Sequence, residues 1–283
     1  MKGVKDQASG HTSFFGAQRR SGTSNDPVTV IAAGMLAATL AAFCHETLGH
    51  GLGCVADGGR IILLTSIWFQ CRGAGSVTDA GGPIGSLIVG VAAVAFLSCR
   101  IPDRIARLVL VLFGAFSLFW FAAQLISHPI FNRDDWAFVA RRMGWSWVWR
   151  PIMASIGVAV YAAAMWMVHA VLRRAGAPTW RTIRLAYAAG VTSAVIAGLM
   201  WSTAPIRSAR EEFLTLGIAP LGLLVVAARS RRNAAGSTDS AANPDCSISR
   251  SWIWIAISVV VFGGFLLVQA RGLGSFAQIG LPH

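Results

Sequence analysis

Charge is scarce in this chain: Asp, Glu, Lys and Arg make up 13% of its 283 residues, against 55% hydrophobic. A soluble domain carries about 25% charged residues, so a chain this poor in charge cannot cover its own surface with polar groups. Lipid is therefore an expected partner. Cysteine offers no framework either. The five present form no CxxC pair and keep no regular spacing, which argues against a disulfide scaffold and a zinc ribbon. Cys44 and Cys99 read as small hydrophobes in or at the ends of apolar spans, while Cys54 and Cys71 fall where they could meet on one side of a membrane. Acidic residues are almost missing from the apolar runs, with Glu46 alone inside one. The net charge of +12 is not clustered as nucleic-acid binding requires. Lys and Arg sit in short loops between apolar runs, where membrane topology places them, and nucleic acid is not expected as a partner.

Apolar runs do exist, and they are long. Seven approach the length of about 20 residues that a helix needs to cross a bilayer, near 28–55, 82–99, 106–127, 151–172, 184–203, 213–228 and 252–270. Backbone amides inside a bilayer must pair within their own segment, so the runs are expected as helices. The fold class is an all-α, polytopic transmembrane helix bundle of six or seven spans. Residues 1–27 read as a disordered cytoplasmic arm, 28–145 as a membrane core, 146–283 as additional helices, and 229–251 as a flexible loop. Most basic residues fall on the inner side if the N-terminus is cytoplasmic, which leaves the C-terminus outside. The run 60–70, which follows Gly58-Gly59, is too short to span and reads as a strand or re-entrant segment.

The chemistry concentrates in the first run, which reads Cys44-His45-Glu46-Thr47-Leu48-Gly49-His50-Gly51-Leu52-Gly53-Cys54. An ionisable side chain within the membrane marks a functional site by default. Neutral imidazole is the commonest metal ligand, and a neighbouring carboxylate can act as general base. The familiar helical zinc motif spaces its histidines i, i+4. Here they are i, i+5, roughly 140° apart on a regular helix. A single π-bulge would bring them together, and Gly49, Gly51 and Gly53 make the backbone permissive there.

The six residues His45 to His50 match His-Glu-x-x-Gly-His, which resembles the zinc motif of the soluble dipeptidyl peptidase III family. The setting is similar to the site-2 protease family of intramembrane zinc metallopeptidases, with one residue inserted into its His-Glu-x-x-His. Asp79-Ala80-Gly81-Gly82-Pro83 looks like that family's Ala-Gly-Pro segment, and 60–70 occupies the place of its short strand. The resemblance covers about 28–145 and implies a third ligand from an aspartate after the third helix. Asp135 is the choice and Asp134 the alternate, although Trp136 stands where the family has Gly. It further implies His45, His50 and Asp135 on Zn2+, Glu46 as catalytic base, and a membrane-tethered protein or peptide as substrate.

Other readings of the same residues stay open. The cluster also fits a polar knot between helices, or the lining of a proton or metal pathway in a transporter. Asp135 also fits a helix N-cap. His128 reads as interfacial, with support of a neighbouring metal ligand as its second reading, His169 as a helix–helix hydrogen-bonding group, Asp79 as a loop or cap residue, and Arg210-Glu211-Glu212 as a solvated helix start.

Overall fold

The structure is a computed structural model that describes residues 25–97, 99, 101–174, 179–235 and 247–274. Helix α1 (Pro27–Phe43) begins under an Asp26 cap, whose carboxylate accepts from the Thr29 N–H at 2.9 Å. It runs through a π-helical segment, Cys44–His50, into α2 (Gly51–Ala56). Strands β1 (Arg60–Leu64) and β2 (Phe69–Arg72) follow, then α3 (Ser76–Phe96), α4 (Arg104–Phe131), α5 (Asp134–Arg142), α6 (Trp149–Arg174) and α7 (Trp180–Leu199). Helix α8 (Pro205–Glu212) continues through a second π-helical segment, Phe213–Ile218, towards α9 (Leu221–Ala235). Helix α10 (Trp252–Phe265) ends in a third, Leu266–Ala270, before β3 (Leu273–Gly274).

Among the described residues, seven helices are long and apolar enough to cross a membrane: Pro27–Ala56, Ser76–Phe96, Arg104–Phe131, Trp149–Arg173, Trp180–Leu199, Pro205–Ser230 and Trp252–Ala270. The bundle is that of a multi-pass membrane protein. Its core joins Leu36 and Ala37 of α1, Phe116 and Phe119 of α4, Val168 of α6, Ile183 of α7 and Leu223 of α9. Large apolar side chains such as Ile152, Trp166, Ile253 and Val260 are exposed on α6 and α10, which is the surface lipid would cover.

Several boundaries differ from the sequence expectation. Helix α3 begins at Ser76 rather than near 82, because Asp57 caps it from a distance. The Asp57 carboxylate accepts from the N–H of Gly75 at 2.8 Å, the N–H of Thr78 at 2.7 Å and the Thr78 hydroxyl at 2.6 Å. The Thr78 hydroxyl leads in holding the Asp57 carboxyl below its ordinary value. A depressed carboxyl of this kind stabilises the fold above about pH 4, and the contribution is lost as pH falls through the folded value. The sixth span starts at Pro205 and so takes Glu211 and Glu212 into the helix. The expected loop at 229–251 is shorter, since α9 continues to Ala235 through residues with good helix propensity. Residues 236–246 lie outside the described residues. So does the expected arm up to residue 24, whereas Asn25 and Asp26 are ordered by bonds to Thr182 and Ile248.

The expected short strand at 60–70 is an antiparallel hairpin, with β3 on the far edge of β1, giving the strand order β2-β1-β3. Its turn is closed by Thr65, whose hydroxyl accepts from the N–H of Trp68 at 2.7 Å. Gln269 donates to the Thr65 carbonyl at 2.9 Å, and the Trp68 indole donates to Ser208 at 3.0 Å. A Cys54–Cys71 disulfide fastens β2 to the last turn of the first span. Glycines with positive φ, Gly58 at 72° and Gly73 at 82°, reverse the chain on either side of the hairpin and bring the two cysteines together. Their positions allowed the two cysteines to meet on one side of the membrane, but the reversal that joins them is a property of the folded hairpin.

Closing a loop of this size stabilises a fold by about 3 kcal/mol. The double variant Cys54→Ala/Cys71→Ala is therefore expected to unfold earlier by roughly that amount, read in denaturant titrations of the purified protein. An unchanged midpoint would show that the disulfide does not hold the hairpin.

Candidate metal centre

In the segment Cys44–His50 the N–H of Gly51 reaches back to the carbonyl of Glu46, five residues away, which is the π-helical bond. The wider turn returns positions five apart to nearly the same face, so His45 and His50 point together, with ring centroids 5.0 Å apart. Helix α3 crosses this segment at very short range. A Cβ on Gly49 would lie 2.6 Å from the Gly81 carbonyl oxygen, and one on Gly81 would lie 2.4 Å from that of Gly49. Only paired glycines allow two backbones to approach this closely.

The approach places Gly82 between the imidazoles. A Cβ built there would fall 2.2 Å from His50 Nε2 and 2.6 Å from His45 Nε2. Both nitrogens therefore face one small volume that stays open because residue 82 has no side chain. The far side of each ring is anchored. His50 Nδ1 donates to the Thr78 carbonyl at 2.8 Å, which leaves Nε2 with its lone pair. His45 Nδ1 bonds the Ser86 hydroxyl at 2.9 Å. His45 stacks on Trp120 at 4.0 Å between centroids, and His50 stacks on Phe69 of β2 at 5.4 Å. Both rings are buried.

Carboxylates approach from two sides. Asp135, in the first turn of α5, lies 3.5 Å from His50 Nε2 through Oδ1 and 3.7 Å from His45 Nε2 through Oδ2. Glu46 is buried, with Oε1 4.0 Å from His45 Nε2 and Oε2 without a hydrogen-bond partner. The ligating atoms of His45, Glu46 and His50 all lie within 4.8 Å of one another, so this cluster can hold a metal ion. Two imidazole lone pairs, a facing carboxylate, an orphaned carboxylate oxygen and an open volume form a donor set suited to a divalent transition metal.

Asp135 owes its place to contacts made elsewhere. Asn132 and Asp134 adopt positive φ, 52° and 67°, in the sharp bend between α4 and α5. Arg142, at the end of α5, bonds Asp79 of α3 at 2.5 Å and holds α5 against the site. Gln124 donates to Asp135 Oδ2 at 3.1 Å, and His128 Nδ1 accepts the Trp136 N–H at 3.3 Å. Burial alone would raise the Asp135 carboxyl, but the facing imidazoles of His50, His45 and His128 keep it below the usual carboxylate range. Asp134, the alternate, stands apart. It pairs with Arg133 at 3.2 Å, and burial together with the charge of Asp135 pushes its carboxyl up to about 6.

Three expectations are corrected here. Asp79 is a buried residue in the first turn of α3, paired with Arg142, rather than a loop or cap residue. His128 is buried beside the centre rather than interfacial. Glu212 is fully buried rather than solvated. His169 does bond across helices, to Ser230 at 3.3 Å. Gly82, Ser86, Trp120 and Gln124 were not among the expected site residues. A faint signal existed for Gln124, since Gln124 and His128 lie one turn apart on an otherwise apolar helix.

The chain matches no family model, no curated protein and no solved structure. The geometry of the centre therefore carries the functional argument by itself. Gly82→Ala, which places a methyl group between the two Nε2 atoms, is expected to abolish stoichiometric metal while leaving the helical content intact. Elemental analysis beside circular dichroism checks this, and a Gly82→Ala protein that still copurifies with one metal per chain would refute the placement.

Proposed function

We propose that this protein is an intramembrane zinc metallopeptidase-like hydrolase acting on membrane-tethered peptides. The observation that carries the reading is that His45 Nε2 and His50 Nε2 both face the volume left open by Gly82, with the Asp135 carboxylate 3.7 Å and 3.5 Å from them. The resemblance of residues 28–145 to the site-2 protease family supports the same assignment. Zinc, when bound to His45, His50 and Asp135, supplies a Lewis acid for the peptide carbonyl.

The remaining work falls to the chain. Glu46, unpaired through Oε2, takes a proton from the attacking water as its oxygen bonds the peptide carbon. When the carbon–nitrogen bond breaks, Glu46 returns that proton to the departing amine. Thr78 and Ser86 hold the imidazoles in place through their Nδ1 atoms, and Trp120 and Phe69 cover the rings. A peptide must be extended for attack. Strand β2 is an edge strand whose Phe69 touches His50, so its edge suits pairing with an extended substrate.

Orientation follows from two independent arguments. The distribution of Lys and Arg between the spans along the sequence suits a cytoplasmic N-terminus. The Cys54–Cys71 disulfide belongs to an oxidising compartment. Both support a reading with the hairpin and the mouth of the centre outside and the start of α1 on the cytoplasmic side.

One observation favours a second reading. Glu212, fully buried in the sixth span, suits a metal- or proton-coupled transporter. Such a protein would give metal- or proton-dependent flux in liposomes and no cleavage. For the peptidase reading, Glu46→Gln is expected to keep its metal and lose at least about 100-fold in cleavage of a membrane-tethered reporter. Cleavage by that variant at the wild-type rate would rule out the mechanism.

A further inference from the structure

Helix α4 brings Trp120, Gln124 and His128, each one turn from the next, to the side of the metal centre. Trp120 stacks on His45, and His128 accepts the N–H of Trp136. Gln124 stands between them and is buried. A primary amide taken into an apolar bundle costs free energy unless both of its ends are bonded. Gln124 is bonded at one end. Its Nε2 lies 3.1 Å from Asp135 Oδ2 and 3.5 Å from His45 Nε2, while its Oε1 is buried with no hydrogen-bond partner among the described residues. The Asp135 carboxylate fixes which end is nitrogen, since an amide oxygen facing it would set acceptor against acceptor.

Orienting Asp135 takes a single N–H, and the amide has two. The second N–H has His45 Nε2 before it, at a separation too long for a strong bond. In the proposed arrangement the lone pair of that nitrogen belongs to the metal. The second N–H is then left without an acceptor, next to the volume that Gly82 keeps open at the same nitrogen. Arg142, the cation that holds α5 against the site, is already engaged by Asp79. Attack of water on a peptide carbon puts negative charge on the carbonyl oxygen. A donor fixed in place before that charge appears lowers the barrier, and does so more strongly in a dry site than in water.

We propose that Gln124 is a further catalytic residue, whose second Nε2–H donates to the carbonyl oxygen of the substrate as charge gathers there. The proposal rests on the peptidase reading. Gln124 transfers no proton; it shares one. Its bond to Asp135 holds the amide still, so the donor needs no reorganisation during the reaction. Removing it weakens binding of the charged state and leaves binding of the uncharged peptide alone.

The experiment uses the full chain in phosphatidylcholine nanodiscs, supplied with zinc. Gln124→Met keeps the length of the side chain and removes the donor, and Gln124→Leu is run beside it in case one of them misfolds. Elemental analysis is expected to find one zinc per chain in both. Cleavage of the membrane-tethered reporter is expected to lose about 100-fold in kcat with KM unchanged. A phosphonamidate form of the reporter, whose charged tetrahedral group copies the oxyanion, is expected to bind the variants about 100-fold more weakly than wild type. The reporter itself is expected to bind Glu46→Gln and Glu46→Gln/Gln124→Met equally. Variants with the wild-type kcat, or with the wild-type affinity for the phosphonamidate, overturn the proposal and leave the peptidase reading in place. Folded variants that lose their zinc also overturn it, because Gln124 would then serve only to support Asp135. Wild-type protein that binds zinc and cleaves no reporter removes the peptidase reading, and the proposal with it.

Discussion

The centre depends on a single extra residue in a helical turn. A regular helix would point His45 and His50 away from each other, and no movement of neighbouring helices could repair that. The π-helical segment turns both rings to one side, and its irregular backbone is tolerated because α3 presses against it through Gly49 and Gly81. Contact and bulge support one another. The bulge presents the rings to α3, and α3 supplies the Thr78 carbonyl and the Ser86 hydroxyl that hold them.

From that contact the rest of the architecture acquires its role. Asp57 fixes the start of α3, so the carbonyl that receives His50 sits at a set height on the helix. Asp79, one residue further on, reaches out to Arg142 and draws in α5, and α5 carries Asp135. The disulfide and Phe69 press the hairpin onto the same helix end. A handful of polar bonds thus orient the cluster within a bundle otherwise held by apolar packing, where each such bond is stronger than it would be in water.

Much of the fold was legible from local composition. The number of spans followed from run length alone, because a bilayer demands a minimum apolar length wherever the chain crosses it. The ends of the spans were read less well. Ser76 and Pro205 begin their helices ahead of the apolar runs, since polar residues join a helix when a remote cap or a buried partner satisfies them. For the same reason Asp79, His128 and Glu212 were misread. Each is polar and near a run end, where exposure is the ordinary outcome, yet each is enclosed by an element far away in sequence.

By itself the sequence determined that the chain forms apolar helices, that the first carries two imidazoles and a carboxylate within six residues, and that a π-bulge would be needed to use them. These are consequences of local chemistry and helical period. Only the tertiary structure set Asp135 rather than Asp134 beside the imidazoles, joined Cys54 to Cys71, and placed the bare face of Gly82 opposite the rings. Those outcomes depend on which backbone passes within a few ångströms of which. That distance is set by the packing of helices far apart in the chain, and spacing along the chain does not contain it.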